Sequence, residues 1–407
     1  MIMKHYNTTI SYINLILCLV ISILLYTYSV TPEHFITWFS HKDTRSKPDL
    51  PKTYTCRRHF IKQDVVIGTY NYKGLDIYSN KFTHKLIDIL LHQSNIKHIK
   101  TRKFDTDDII YENLLNGTVD IGLVSTPVIY DKMKTTVKYG LKLKPINFIT
   151  SMNTLFIYFI VSQLGRVVSI HDIKNGKKIG IDKKTPSWLC AKHIFDYMKL
   201  QETVDYVFVN DTYKKNARKV NRGEIDCLIQ TDIYPSKHIT SLFSNNLDNT
   251  LRLLPLDEIN QHDFASKYVF YKPGYINLHR ISDNYTPKII GKFKYTTFKP
   301  MLTTYTFNNY LLGSDKVNND VGLSVIKTVF DNIDNINKLP SMKQTPLDKY
   351  NLVHDFLYIP LNKGVITYYY EHGYITDHKD PACKHLVGNM KCSKHNLDIV
   401  TSKDIIV

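Results

Sequence analysis

The sequence predicts an α/β fold of two lobes, preceded by an apolar segment long enough to cross a membrane. Three observations carry this. The first is a unit that occurs twice. Residues 112–130, ENLLNGTVDIGLVSTPVIY, read as a helix end, a turn at Asn116-Gly117, a buried strand from Asp120 to Val124, a polar tip at Ser125-Thr126, and Pro127. Residues 219–235, KVNRGEIDCLIQTDIYP, follow the same grammar, with an Arg-Gly turn, an apolar strand over 227–229, a polar tip at Gln230-Thr231 and Pro235. The second is element order: strand and helix periodicities alternate, as in a mostly parallel sheet. The third is residues 10–30, which hold no charge over about 20 positions, the length of a membrane span.

Taken in order, residues 1–9 form a short tail. Tyr26, Tyr28 and Trp38 suit the far membrane interface. Lys4 resembles the charged start of a signal peptide, but no small-x-small cleavage site follows, so an uncleaved signal-anchor is expected. Lys42, Arg45 and Lys47 outnumber Lys4, which by the positive-inside rule favours a cytoplasmic main domain. Large domains cross membranes regardless of such charges. The expectation is a single-pass membrane protein whose main domain is extracytoplasmic or lumenal. Asn116, Asn210 and Asn284 open sequons and are glycosylation candidates there. Residues 31–62 read as a spacer interrupted by Pro48 and Pro51.

Residues 63–154 form the first part of lobe 1. A strand over 64–69 is followed by a helix over 82–91, with Phe82, Leu86, Ile89 and Leu90 on one face. A strand over 97–104 comes next. Asp105-Thr106-Asp107-Asp108 then caps a helix that runs through Leu115. Residues 155–258 form lobe 2. The apolar strand 155–161 opens it, and a strand over 177–181, a helix capped by residues 185–188, a strand over 205–209, a helix over 212–220 and a strand over 225–229 follow. Residues 259–376 cross over and return to lobe 1. Within them, 268–300 reads as irregular, 303–312 as a strand, 317–333 as an amphipathic helix, and 341–374 as terminal helices. Residues 377–407 are a polar tail.

Net charge is +16, from 53 basic and 37 acidic residues. The lysines are spread among Asp, Asn and Ile, with no Arg-rich run and no aromatic-glycine RNA-binding motif. Nucleic acid is therefore not the expected partner. Cys18 lies in the apolar run, leaving Cys56, Cys190, Cys227, Cys383 and Cys392, an odd number that cannot pair fully within one chain. Cys227 reads as a small core residue, whereas Cys383 and Cys392 can close a loop in an oxidising compartment. Cys383, His385, Cys392 and His395 have no usual zinc spacing, so no metal is expected. There is no GxxxxGK loop, HExxH helix or GxSxG elbow. The chain reads as a non-enzyme without a cofactor.

In open α/β sheets ligands bind beyond the C-terminal ends of strands, which makes Ser125, Thr126, Gln230 and Thr231 candidate ligand-binding residues. Thr185 and Ser187 join them as hydroxyls at a helix N-terminus, where backbone N–H groups favour an anion. Tyr70, Lys73 and Gly74 after the first strand, and Lys183 before the helix, complete the candidate set. Plain helix capping explains Ser and Thr at 185–187 equally well. Solvation is the default for lysines.

An ordered set of short signatures resembles the TRAP transporter solute receptors of the TAXI family, within the type II periplasmic binding protein fold. It runs through SIHDIKNGKKIG at 169–180, Gly223 to Leu228 with Pro235, LPLD at 254–257 followed by Tyr268, Phe270, Tyr271, Pro273 and Ile276, then IPLNKG at 359–364 and YYYEHG at 368–373. Together these span about residues 63–376. The resemblance implies a hinged two-lobed receptor for a small organic anion or amino acid, serving a membrane transport or assembly partner. Two glycine loops of the family depart here: only Gly74 of one pair stands in 68–78, and 180–188 reads GIDKKTPSW. Glycine lets backbone N–H groups approach an anion. A ligand-free structural or recognition glycoprotein, and a transferase-type enzyme on the same fold, are the alternatives.

Overall fold

The structure, a computed structural model, describes residues 61–70, 78–138, 146–162, 165–244, 251–281, 301–339, 342, 345–349, 352 and 359–374. The apolar run 10–30, residues 31–60 of the expected spacer, Lys73, Gly74, Asn284 and the Cys383–His395 set lie outside the described residues, while Ile61 and Lys62, expected to end the spacer, open the first strand. Among the described residues, no helix is long and apolar enough to cross a membrane.

The strands are β1 (Ile61–Tyr70), β2 (Ile96–Phe104), β3 (Ile121–Ser125), β4 (Ile146–Ser162), β5 (Lys177–Ile181), β6 (Tyr206–Asn210), β7 (Cys227–Asp232), β8 (Leu251–Leu253), β9 (Lys272–Asn277) and β10 (Met301–Ser314). The helices are α1 (Tyr78–Gln93), α2 (Asp107–Leu115), α3 (Thr126–Lys138), α4 (Ser187–Tyr197), α5 (Tyr213–Asn221), α6 (Lys237–Ser244), α7 (Gln261–Lys267), α8 (Asn319–Asp331), α9 (Ile333–Asn337) and α10 (Lys363–Glu371).

One continuous hydrogen-bonded path runs β2-β1-β3-β10-β4-β7-β5-β6, with β8 on β4 and β9 on β10. Its two ends are the lobes. In lobe 1, β1 pairs in parallel with β2 and β3. In lobe 2, β5 pairs in parallel with β6 and β7. Two long strands join them. The front of β4 pairs with β10, and its rear, Phe156 to Val161, turns to β7. β10 pairs with β9 over Met301 to Thr306 and with β3 over Asn309 to Gly313. A register shift between Asn308 and Tyr310 marks the passage from one lobe to the other.

The repeated sequence unit is a repeated structural device. Gly117 and Gly223 end α2 and α5 at φ of 63° and 70°, a conformation that a Cβ disfavours. Three residues on, Asp120 and Asp226 each grip the central strand of their lobe. Val66 N–H donates to Asp120 Oδ2 at 2.7 Å, and Lys178 N–H to Asp226 Oδ2 at 2.8 Å. Each lobe also needs one bare strand position under its helix. A Cβ on Gly122 would overlap Ile110 of α2, and one on Gly180 would overlap Ile225 and crowd Asn216 of α5.

In lobe 2 the two sheet faces carry separate cores. Ile157, Phe159 and Ile229 pack with Ile194 and Phe195 of α4, whereas Tyr158, Ile160 and Leu228 pack with Tyr213, Ala217 and Val220 of α5. α8 and α10 return the chain to lobe 1. Asn95 N–H donates to Ser324 Oγ of α8 at 3.1 Å, and Leu361 bridges Phe148 of β4.

Two expectations are corrected. The strand expected at 155–161 is 17 residues long and begins at Ile146; its polar run, Thr150 to Thr154, hid the front half. Within the 268–300 stretch expected to be irregular, Lys272–Asn277 forms β9, because the N-terminal half of β10 offers it a partner. Helices α3 and α6 are additional to the sequence reading. Pro127 hid α3, although proline suits a first helical turn.

Candidate functional site

Both lobes aim strand ends and helix starts at the crossing strands. In lobe 1, β3 passes directly into α3, so Ser125 and Thr126 sit at the junction. Both are buried. Ser125 N–H donates to Asp107 Oδ2 at 3.1 Å, and the Ser125 hydroxyl donates to the same oxygen. Asp107 is the first residue of α2, where the helix dipole favours a carboxylate. Burial nevertheless pushes its carboxyl up to about 6, against the lowering effect of the Ser125 hydrogen bonds. The neighbouring Thr126 hydroxyl is buried with no hydrogen-bond partner.

In lobe 2, Thr185 of the loop after β5 and Ser187 at the start of α4 meet Thr231 of β7 in a cluster of three hydroxyls. The Asp182 carbonyl can only accept, so Thr185 Oγ1 donates to it at 2.9 Å. The Thr185 hydroxyl is also the donor to Ser187 Oγ, at 2.8 Å, so the two acceptors share it. Ser187 Oγ in turn accepts the Thr231 N–H at 2.9 Å and lies 3.1 Å from Thr231 Oγ1. Thr231 Oγ1 meets this cluster at Ser187 Oγ, where either hydroxyl can be the donor. Ser187 is not the cap of α4: the N-cap is Pro186, without a side-chain bond.

Side chains alternate across a strand, so Gln230 faces away from Thr231 and Ser187. Its Nε2 donates to the Thr231 carbonyl at 2.9 Å, and its Oε1 is buried without a partner. Lys183 is exposed, and its backbone N–H donates to Asn210 Oδ1 at 3.0 Å. Tyr70, at the end of β1, is buried. The structure thus brings Thr185, Ser187 and Thr231 together and places Ser125 and Thr126 on the other lobe. It sets Gln230 on the opposite sheet face. Of the glycosylation candidates, Asn116 and Asn210 are exposed.

Sequence reasoning missed the polar side chains of the two crossing strands. Asn309 is the register partner of Ser125, and its Nδ2 donates to Asn153 Oδ1 at 3.2 Å. Asn153 Nδ2 is buried without a partner. Thr154 Oγ1 donates to Asn308 Oδ1 at 2.7 Å. The available signal was the polar interruption of two apolar strands, by Thr150 to Thr154 and by Asn308-Asn309.

The lobes touch. Lys184 Nζ lies 3.3 Å from Asp105 Oδ2 across the gap, an exposed pair. Tyr130 of α3 meets lobe 2 rings, with centroids 5.8 Å from His193, 5.8 Å from Tyr268 and 5.1 Å from Phe270. His193 Nδ1 lies 3.0 Å from the Tyr271 hydroxyl. Burial, with the charges of Lys134, Lys192 and Lys267, holds this imidazole down at about 3, so it is neutral. Burial pushes the Cys190 thiol well up, which leaves it a poor nucleophile. Among the described residues no group of three His, Cys, Asp or Glu side chains could hold a metal.

Two lobes of α/β structure joined by two crossing strands, with strand tips and a helix N-terminus converging on the joint, define a binding-protein-like architecture. Residues 109–373 match the model of the NMT1-like family, and the chain belongs to that family. Among solved structures it is similar to the alkanesulfonate-binding protein SsuA from Xanthomonas axonopodis pv. citri bound to MOPS. That match has 12% identity and a TM-score of 0.40, and covers 85% of this chain and 96% of that one. It is also similar to an amino acid ABC transporter substrate-binding protein, AbpA, from Streptococcus pneumoniae bound to L-arginine, at 13% identity, 69% and 93% coverage and a TM-score of 0.38. These are likenesses of architecture, and no site residue is transferred from them. No curated protein matches.

Proposed function

We propose that this protein is a membrane-anchored solute-binding protein that captures a small organic anion or zwitterion between its lobes and does no chemistry on it. The supporting observation is the unpartnered Thr126 hydroxyl, next to Ser125 and its register partner Asn309, with the unpartnered Asn153 amide one hydrogen bond further on. Buried polar atoms left unpaired cost free energy, and a bound solute with donors and acceptors relieves that cost. Ser125, Thr126 and Tyr70 would serve from lobe 1, with Lys73 and Gly74 from the loop that follows β1. Thr231 would serve from lobe 2, with Thr185 and Ser187 behind it and Lys183 and Gln230 at its margin. The resemblance to TAXI receptors narrows the ligand to an organic anion or amino acid and adds a membrane transport partner. Residues 10–30 supply the anchor, and residues 63–154, 155–258 and 259–376 are the lobe segments.

A second reading, a structural or recognition glycoprotein without a ligand, is favoured by two observations. The lobe 2 hydroxyls already satisfy one another, and the Tyr130 ring already fills contacts between the lobes. A transferase is disfavoured by the neutral His193 and the suppressed Cys190 thiol. Thermal-shift screening of the full chain against carboxylates, sulfonates and amino acids separates the readings. Stabilisation by one solute, lost in Thr231→Val, supports capture. No shift across the panel supports the structural reading, and turnover of a solute supports the enzyme.

A further inference from the structure

In lobe 2 a groove of about 350 Å³ lies between α5 and α6. Lys214, Arg218 and Asn221 line one wall, at the i, i+4, i+7 spacing that puts them on one helix face. His238, Ser241 and Leu242 line the other. Tyr213 ties the walls together: its hydroxyl donates to the His238 carbonyl at 3.2 Å, and its ring meets the His238 ring edge-on at 5.7 Å.

The charge in this groove is not that of an ordinary solvated helix. α5 holds four cations and no carboxylate. Asp211 holds Lys215 at 3.3 Å and Lys219 at 3.1 Å, and Glu224 holds Arg222 at 3.7 Å; the buried Asp232, which acts on Tyr213 and His238, bonds to the Ser236 hydroxyl and the Ile233 N–H. Among the described residues, Lys214 and Arg218 have no ion-pair partner, and both face the concave surface. Two adjacent cations without an ion-pair partner among the described residues match a dianion better than a carboxylate. Arg supplies a planar fork for two oxygens and Lys a point charge. Ala217, Leu242 and Leu251 add apolar surface beside them.

We propose that this groove binds a phosphate monoester that carries an apolar substituent, with Arg218 and Lys214 holding the phosphate and Leu242 and Leu251 covering the substituent. None of the residues lining the groove is an interlobe candidate, and the proposal does not depend on what binds between the lobes. Calorimetric titration of the full chain in neutral detergent, with dihexanoyl phosphatidic acid, phenyl phosphate, inorganic phosphate and hexanoate as probes, tests it. The phosphate monoesters are expected to bind, with affinity falling about tenfold in Lys214→Ala and further in Arg218→Ala, and unchanged in Thr231→Val. Both cations are exposed, so neither substitution threatens folding; circular dichroism checks this. Preference for the phosphatidic acid identifies a lipid headgroup as the source, and equal binding of phenyl phosphate a soluble ester. No binding at millimolar probe, binding that survives both substitutions, or hexanoate binding as well as phenyl phosphate overturns the proposal.

Discussion

Ser187→Ala isolates the hydroxyl cluster of lobe 2. The Ser187 oxygen receives the Thr231 N–H at 2.9 Å and the Thr185 hydroxyl at 2.8 Å, and all three residues are buried. Alanine leaves the Thr231 N–H buried with no acceptor, which costs about 1–3 kcal/mol. Thr185 keeps its bond to the Asp182 carbonyl, and the Thr231 hydroxyl can rotate, so neither adds much. The expected loss is about 2 kcal/mol. Thr231→Val is the contrast. It removes only the Thr231 hydroxyl and leaves the backbone N–H paired, so its cost should stay below about 1 kcal/mol. Urea unfolding of both variants, followed by far-UV circular dichroism and by fluorescence of the half-buried Trp188 beside the mutated site, measures the difference. Equal losses in the two variants, or a Ser187→Ala protein as stable as the parent, would show that Ser187 does not accept the Thr231 N–H.

Asp107 sets a pH dependence. Its folded carboxyl is raised from 3.8 to about 6, so its contribution is fully present below pH 3.8 and is lost as pH rises through about 6. Measured against Asp107→Asn, the parent should therefore lose relative stability between pH 4 and 7; a flat difference would contradict the burial argument. Lys184→Ala removes an exposed interlobe ion pair and should leave stability unchanged within error, whereas Tyr130→Ala, which empties the aromatic contact, should enlarge the radius of gyration in small-angle scattering. An unchanged profile for Tyr130→Ala would mean that the rings do not hold the lobes together. Expression from Tyr54 onward should yield a soluble monomer; aggregation of that product while the full chain stays stable in detergent would show that the first 53 residues are needed for folding.

The lobes were legible because their signals are local. The paired Gly-x-x-Asp units, Gly117 to Asp120 and Gly223 to Asp226, state turn, strand start and grip on a neighbour within four residues. The strand tips Ser125 and Thr231 followed from the same units. What stayed hidden is set by pairing across long separations. The front of β4 reads as polar until β10, about 160 residues later, supplies partners for its side chains. β9 looks irregular until the same strand gives it an edge. Asn153 and Asn309 join the candidate residues only through that pairing, and Gln230 is set apart from Thr231 because strand alternation turns it away.

The place of β10 has a consequence for synthesis. It lies between β3 and β4 in the sheet, yet it is made after all of lobe 2. From the moment β4 leaves the ribosome until Ser314 does, β3 and β4 each expose a row of unpaired backbone groups on the edge that β10 will fill. Unpaired edges of buried, apolar strands are templates for pairing with other chains. A nascent chain stalled or cut before Met301 can finish neither half of its sheet, and would be a substrate for chaperones or a seed for aggregates, however well lobe 2's own parallel strands had assembled.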